Sequence, residues 1–323
     1  MKPRVLVTEP IHKIGWDLLA TETEAVAWAG QEKEPLGKAM EAVQAVLVRV
    51  ARLPAEVIRG AKHLRIIAKH GVGYDNIDVS AATACRVVLT NTPTANSLSV
   101  AEHALALLLA VARRIGESDR DLTLGKMRTQ KSYQGIELSG KVMGVIGIGG
   151  AGLHLARITG RGLSMRVIGY DPYKDPWPEG VERCRELGAL LAEADFVSIH
   201  VPLTQETRNL IGSAALARMK ATSVLVNTSR GGIVDETAVA QAIRSGRLGG
   251  AGLDVVVDEP LKVDHPLVGL PNVILTPHVA GVTEEAMINM ARSSAEDILR
   301  ILRGERPRYP VNPEVLMGGD GRR

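Results

Sequence analysis

Three residues in this 323-residue chain have types and surroundings that chemistry can use: Arg230 in SRGGIVDE, Glu259 in LDVVVDEP and His278 in TPHVAG. A guanidinium can hold a substrate carboxylate through two parallel hydrogen bonds, which an ammonium cannot reproduce. An imidazole exchanges a proton near neutral pH. Oxidation of an alcohol to a ketone needs that exchange, because a proton leaves oxygen while hydride leaves carbon. A carboxylate beside the imidazole fixes its tautomer and favours its charged form. The triplet therefore reads as acid/base chemistry on a small acid, with Arg230, Glu259 and His278 as the catalytic residues.

A hydride acceptor is implied upstream. Gly147-Ile148-Gly149-Gly150-Ala151-Gly152 follows a strand-like run at residues 142–146 and precedes a helix-compatible stretch. In that context Gly147 permits a tight turn, Gly149 lets backbone approach a pyrophosphate, and Gly152 lets the helix pack closely on the strand. The helix N-terminus, with Gly150 and Ala151 on the same loop, then faces the negative charge. Asp171 lies 19 positions after Gly152, at the end of the next strand-like run, residues 166–170. A carboxylate there accepts hydrogen bonds from ribose hydroxyls and opposes a 2′-phosphate, so NAD is expected in preference to NADP.

The elements that must position these groups alternate in type. Short β-branched runs at residues 4–8, 45–48, 65–68 and 87–89, separated by helix-compatible stretches, imply a parallel sheet in the first hundred residues. Pro54 and Gly60 should bracket one of its helices. Ser99-Val100-Ala101-Glu102 has the pattern of a capping box opening an apolar helix, expected to be buried in a core or at a domain or subunit contact. A second series follows, with strands at 142–146, 166–170, 196–200, 224–227, 250–254 and 273–275, then a helical stretch at 284–302. The expected fold is α/β: two doubly wound parallel-sheet domains, Rossmann-like and flavodoxin-like, with a cleft between them. Residues 318–323 are expected to fray.

Composition narrows the function. Hydrophobic residues make up 45% and charged residues 23%, as in ordinary globular proteins, and the length suffices for two cores. A formal net charge of +3, with scattered Lys and Arg, argues against a nucleic-acid partner. Cys85 and Cys184 lie far apart with no Cys/His metal spacing, which suits a reducing compartment and predicts no metal. The N-terminus lacks the pattern of a signal peptide, and the apolar run at residues 104–112 is too short to span a bilayer, so a cytoplasmic location without membrane contact is expected.

Several segments in order resemble one family. KHGVGYDNID (69–78), NTPTANSLSVAEH (91–103), GIGGAG, GYDPY (169–173), HVPLTQETRNLI (200–211), VNTSRGGIVDE (226–236), LDVVVDEP (253–260) and TPHVAG are similar to the D-isomer-specific 2-hydroxyacid dehydrogenases, especially their phosphoglycerate, glyoxylate and hydroxypyruvate branch. The spacings 259 − 230 = 29 and 278 − 259 = 19 resemble that branch as well. The resemblance implies a substrate domain of residues 1–98 plus 289–323, an inserted NAD-binding domain of residues 99–288, and a homodimer. It implies that Val72, Gly73 and Asn96 meet the substrate carboxylate and that His200, Val201, Pro202, Thr207, Thr228, Ser229, Asp254 and Gly281 line the cofactor. Within these, Thr207 would touch the pyrophosphate, and Thr228 and Asp254 would fix the nicotinamide. Gly150-Ala151 stands where the family often has Arg-Ile, which removes a side-chain contact to phosphate and implies a weaker hold on NAD.

The resemblance also places Arg49 and Lys69 where basic residues of the phosphoglycerate branch face a distal phosphate. That leans towards 3-phosphoglycerate over glyoxylate or hydroxypyruvate. The other class to weigh is an NAD(H)-sensing corepressor-like binding protein, which shares this architecture. Among the remaining histidines, only His70, beside the Gly71-Val72-Gly73 turn, and His200, at a strand end, stand out. His12, His63, His103, His154 and His265 read as structural.

Overall fold

The computed structural model describes residues 2–28 and 34–317; the segment 318–323 expected to fray lies outside the described residues. Its strands in chain order are β1 (Arg4–Val7), β2 (Glu24–Ala27), β3 (Ala45–Val48), β4 (Ile66–Lys69), β5 (Val88–Thr90), β6 (Val142–Ile146), β7 (Arg166–Tyr170), β8 (Glu182–Arg183), β9 (Phe196–Ile199), β10 (Val224–Asn227), β11 (Gly250–Leu253) and β12 (Val273–Leu275). The helices are α1 (Lys13–Glu22), α2 (Leu36–Met40), α3 (Ala55–Gly60), α4 (Val79–Ala84), α5 (Ser97–Ala112), α6 (Ile115–Thr123), α7 (Gly150–Arg157), α8 (Leu187–Glu193), α9 (Ser213–Leu216), α10 (Glu236–Arg244), α11 (Glu284–Leu302) and α12 (Glu314–Met317). Two compact units result, Met1–Asn96 with Val282–Arg323, and Ser97–Gly281.

The first unit is a five-stranded parallel sheet in the order β2-β1-β3-β4-β5. Alternate residues of its strands face opposite sides, as the pleat requires. Val5, Val7, Leu47 and Ile66 pack beneath α1 and α11, through Leu19, Ala295 and Ile298. On the other face Leu6, Val46 and Ile67 pack with Met40, Ile58 and Ala81 of α2, α3 and α4. α1 and α11 approach closely at Gly15, where a Cβ would stand 3.2 Å from the Ala291 carbonyl oxygen. Pro54 is the N-cap residue of α3, and Gly60 is its last residue, one position inside the expected stop.

The second unit is a seven-stranded parallel sheet in the order β12-β11-β10-β9-β6-β7-β8. Strand order reverses between β6 and β9, which pair directly, and the crevice at such a reversal is where open α/β sheets bind ligands. The apolar α5 is a core helix of this unit: Ala101, Ala104, Leu108 and Val111 pack with Met143, Val145 and Phe196 on the face that α7 also covers. The opposite face packs Leu190, Leu191, Val239 and Ile243 of α8 and α10 on Ile146, Val197 and Leu225.

Two expected positions shift. The unit boundaries fall at 96/97 and 281/282, because cuts at 98/99 and 288/289 would pass through α5 and α11. Thr283, whose hydroxyl accepts from Ala286 N at 3.2 Å, caps α11, and the whole helix belongs to the first unit. β2 and β8 were not anticipated; β2 carries no buried residue and β8 is two exposed residues long. Among the described residues no helix is long and apolar enough to cross a membrane.

His70, at the end of β4, is 3% exposed, and neither ring nitrogen has a hydrogen-bond partner. Burial first, and then the charge of Arg49, lower its pKa from 6.5 to about 4. Between those values the unfolded chain binds more protons than the folded one, so stability is complete above pH 6.5 and declines as the pH falls towards 4. The loss is on the order of 3 kcal/mol. Chemical denaturation of His70→Leu across that window should give a shallower dependence on pH than the parent; identical slopes would show that another group titrates.

Candidate active site

The glycine loop joins β6 to α7 at the strand-order reversal. Gly147 has φ +90°, and a Cβ there would stand 2.7 Å from the His200 carbonyl oxygen at the end of β9. A Cβ on Gly152 would stand 2.0 Å from the Gly147 carbonyl oxygen, so only hydrogen fits between helix and turn. Gly149 is the N-cap residue of α7, has no side-chain cap, and leaves its Cβ direction open within 4 Å. Gly150 and Ala151 form the first helical positions.

Asp171 holds this loop: Oδ2 accepts from Ile148 N at 2.9 Å, and Oδ1 from Tyr173 N at 3.0 Å. A cavity of about 330 Å³ opens beside it, lined by Tyr170, Asp171, Pro172, Arg183, Cys184 and Arg185. Arg183 stacks over the Trp177 ring at 4.9 Å. The guanidiniums of Arg183 and Arg185 were not singled out in the sequence, and they bring positive charge to the pocket that carries Asp171.

After β9, His200 Nε2 meets Ser198 Oγ at 2.9 Å while Nδ1 is buried without a partner. Burial lowers the pKa of this imidazole to about 4, so the ring is neutral at neutral pH. Val201 packs against the core, and the loop beyond Pro202 is folded on itself: Thr207 Oγ1 donates to the Pro202 carbonyl at 2.6 Å and accepts from Thr204 N at 2.7 Å. On the neighbouring strand end, Thr228 Oγ1 is also buried and unpartnered. Two orphaned polar atoms on adjacent strands, beside a glycine turn with open space at Gly149, are what a dinucleotide would complete. The residues present therefore fit NAD.

Arg230 stands on a turn framed by Asn227, which is fully buried. Asn227 Oδ1 accepts from Ser229 N and Ser229 Oγ at 3.0 and 2.7 Å, and its Nδ2 donates to the Arg230 carbonyl at 2.7 Å. The Arg230 guanidinium donates to the Ser229 carbonyl at 2.7 Å. Asp254, after β11, is 1% exposed. Its Oδ1 accepts from Thr276 Oγ1 at 2.6 Å and Val279 N at 2.9 Å, and its Oδ2 from Ala280 N at 2.8 Å. Burial pushes this carboxyl up, but hydrogen bonds from His103, Thr276 and the two amides outweigh that and hold it below the ordinary Asp value. Asp254, expected to fix the nicotinamide, is thus occupied by the chain's own loop, residues 276–280, which leads to Gly281.

That loop carries His278. Its amide donates to the Asp254 carbonyl at 2.8 Å, and its backbone sits at φ +56°, a left-handed conformation that a non-glycine residue adopts at a cost. The ring Nδ1 is 2.8 Å from Glu259 Oε2. A carboxylate only accepts, so Nδ1 carries the proton and Nε2 is the atom left to exchange one. Glu259 Oε1 accepts in turn from Val256 N at 3.3 Å. His103 Nε2 lies 3.0 Å from Thr276 Oγ1; since that hydroxyl donates to Asp254, the histidine is the donor.

In the first unit, the turn expected to meet the carboxylate is tied to the 91–96 loop: Gly71 N donates to Thr92 Oγ1 at 3.1 Å, and Asn91 Nδ2 to the Val72 carbonyl at 2.7 Å. Val72 is exposed, Gly73 follows it, and Asn96 ends the first of the unit's two segments. Lys69 departs from its expected place: it is 8% exposed and its ammonium donates to the Arg49 carbonyl and to Asn76 Oδ1, the latter at 2.8 Å. It braces the 49–53 loop, as does Glu9, which accepts from Arg49 N and Ala51 N at 2.8 and 2.6 Å. Among the described residues no group of three His, Cys, Asp or Glu is placed to hold a metal.

Residues 105–280 match the family model described as the NAD-binding domain of D-isomer-specific 2-hydroxyacid dehydrogenases. The chain is 42% identical to a D-3-phosphoglycerate dehydrogenase of Archaeoglobus fulgidus, over 96% of this chain and 59% of that protein, so it spans about three fifths of that relative's length. It is 40% identical to a glyoxylate reductase of Korarchaeum cryptofilum over 98% of both. Among solved structures, the TT0316 protein of Thermus thermophilus superposes with a TM-score of 0.86 at 36% identity, covering 95% of this chain and 99% of that one.

The 2.0 Å approach at Gly152 makes a direct prediction. Gly152→Ala must push α7 away from the turn, so fluorescence titration with NADH should show binding weakened by at least about tenfold, a loss of roughly 1.4 kcal/mol. Unchanged binding would mean that the loop does not hold the pyrophosphate.

Proposed function

Because the chain belongs to the D-isomer-specific 2-hydroxyacid dehydrogenase family, we propose that it interconverts a small D-2-hydroxy acid and its 2-oxo acid, using NAD as hydride carrier. The observation that carries this reading is the His278–Glu259 pair at 2.8 Å, on loops beside the turn that bears Arg230. When bound, the nicotinamide supplies hydride to the 2-oxo carbon or accepts it from the 2-hydroxy carbon. The glycine loop, Thr207, His200 and Thr228 would hold the dinucleotide, with Ser229 on the same turn.

In reduction, the Arg230 guanidinium binds the substrate carboxylate and draws charge towards the carbonyl oxygen. His278 gives that oxygen the proton on Nε2, and takes it back in oxidation. Glu259 keeps Nδ1 protonated throughout and stabilises the imidazolium form that the reaction requires. Val72 and Gly73 would offer backbone amides to the carboxylate, with Asn96 nearby.

The substrate reading favours glyoxylate or hydroxypyruvate. Lys69, the cation that would have faced a distal phosphate, is engaged with the Arg49 carbonyl and Asn76. A second reading, 3-phosphoglycerate, keeps support from Arg49, whose guanidinium has no hydrogen bond or ion pair among the described residues. Exposed Ile115, Leu122, Leu124 and Met127, all within residues 115–127, support a homodimer through that segment. Free Cys85 and Cys184 suit a cytoplasmic protein.

Turnover of NADH and NADPH with glyoxylate, hydroxypyruvate and 3-phosphohydroxypyruvate tests the activity, cofactor and substrate readings together. We expect a higher kcat/KM with NADH, because Asp171 opposes a 2′-phosphate. His278→Ala should lose about 10²- to 10⁴-fold in kcat while still binding NADH. Absence of turnover with every acid, with NADH binding intact, would favour the corepressor-like binding protein. Near-normal kcat in the variant would move the proton transfer to another group.

A further inference from the structure

Glu236 and His265 lie outside the catalytic triplet, and no step of the reaction uses them. Glu236 opens α10 and is only 9% exposed. Its Oε1 accepts from Val257 N at 2.7 Å, and its Oε2 meets His265 Nε2 at 2.8 Å. The other ring nitrogen of His265 accepts a longer bond from Leu267 N at 3.4 Å, so the ring proton sits on Nε2 and the imidazole donates to the carboxylate. One buried carboxylate therefore grips the chain at residues 257 and 265, and Glu259 lies on the loop it closes.

The first of these grips falls on a crowded joint. Val256 N, one peptide earlier, donates to Glu259. Gly231, on the turn that follows Arg230, presses on the same backbone: a Cβ there would stand 2.1 Å from the Val256 carbonyl carbon and 2.4 Å from Val257 N. The Arg230 turn and the Glu259 loop thus share one contact, and Glu236 holds it in place. Closing a loop at both ends removes freedom from what it carries.

We propose that Glu236 and His265 are a positioning pair, which closes the 257–265 loop and so sets the place of Glu259 against both His278 and Arg230. They touch no reacting atom and act through Glu259. The proposal rests on the dehydrogenase reading for its kinetic consequence, though not for its geometry.

The test uses His265→Phe, which removes the donor, and His265→Gln, which keeps an N–H facing Glu236. A misplacement of about 1 Å at a reacting group costs about 10²-fold, so His265→Phe should lower kcat 10- to 100-fold with the NADH dissociation constant held within about twofold. His265→Gln should recover most of that loss. The ¹⁵N shifts of the His278 imidazole give a reading free of turnover: the proton should sit on Nδ1 in the parent and in His265→Gln, and lose that preference in His265→Phe. Should His265→Phe not fold, Glu236→Gln releases the same end of the loop, by facing His265 with a second donor, and should show the same signature. Parental kcat and an unchanged His278 tautomer in a folded His265→Phe or Glu236→Gln variant would overturn the proposal, as would His265→Gln faring no better than His265→Phe. If the parent reduces no 2-oxo acid, the dehydrogenase reading falls, and the tautomer measurement still decides whether the pair positions Glu259.

Discussion

The buried carboxylate of Asp254 is the interaction on which the rest of the site depends. Placing an anion where 1% of it meets solvent is costly unless its oxygens are satisfied, and here a hydroxyl and two amides of the 276–280 loop satisfy them. The same residue donates its amide to the Asn227 carbonyl, at the base of the Arg230 turn, and accepts from the His278 amide at its own carbonyl. One residue thus links the turn that carries Arg230 to the loop that carries His278. The left-handed backbone of His278 persists because these bonds over-determine it.

Parallel sheets explain why such a residue is available. With helices on both faces of the second sheet, β9, β10 and β11 are buried throughout, and polar side chains can emerge only where the strands end. Asn227, Asp254 and His200 stand at or just beyond those ends, and of the three His200, after β9, adjoins the reversal of strand order at β6 and β9. The glycine loop occupies the same reversal, and its two tight approaches, at Gly147 and Gly152, leave room for backbone alone. The glycine loop and the loops that carry Arg230, Glu259 and His278 all follow the carboxyl ends of parallel strands of one sheet, the end at which open α/β sheets bind ligands.

Much of this was legible in the sequence because it rests on local rules. Gly147, Gly149 and Gly152 announce a backbone role by type and spacing, and Asp171 follows at the end of the next strand. The Arg230, Glu259 and His278 segments are each marked by their own motif. What stayed hidden depends on contacts that the fold creates. Glu236 and His265 are 29 positions apart, and His103 and Thr276 are 173 apart, so no periodicity could pair them, although Glu236 and His103 stand within segments that carry the family resemblance. The engagement of Lys69 stayed hidden for a physical reason: a lysine is ordinarily solvated, and only the fold brings the Arg49 carbonyl and the Asn76 side chain together as the acceptors that bury it. β2 and β8 escaped because both are edge strands too short to show a period, β2 with two half-buried residues and β8 with two exposed ones.

The central claim is that Asp254 places His278 against Glu259. The separation of His278 Nδ1 from Glu259 Oε2 in a crystal structure of Asp254→Asn tests it most directly, since the amide has the shape of the carboxylate but turns a donor towards one of the loop's own donors. The account predicts that the 276–280 loop shifts and the pair opens beyond about 3.5 Å, past hydrogen-bonding distance. A pair still at 2.8 Å, on an unmoved loop, would contradict it.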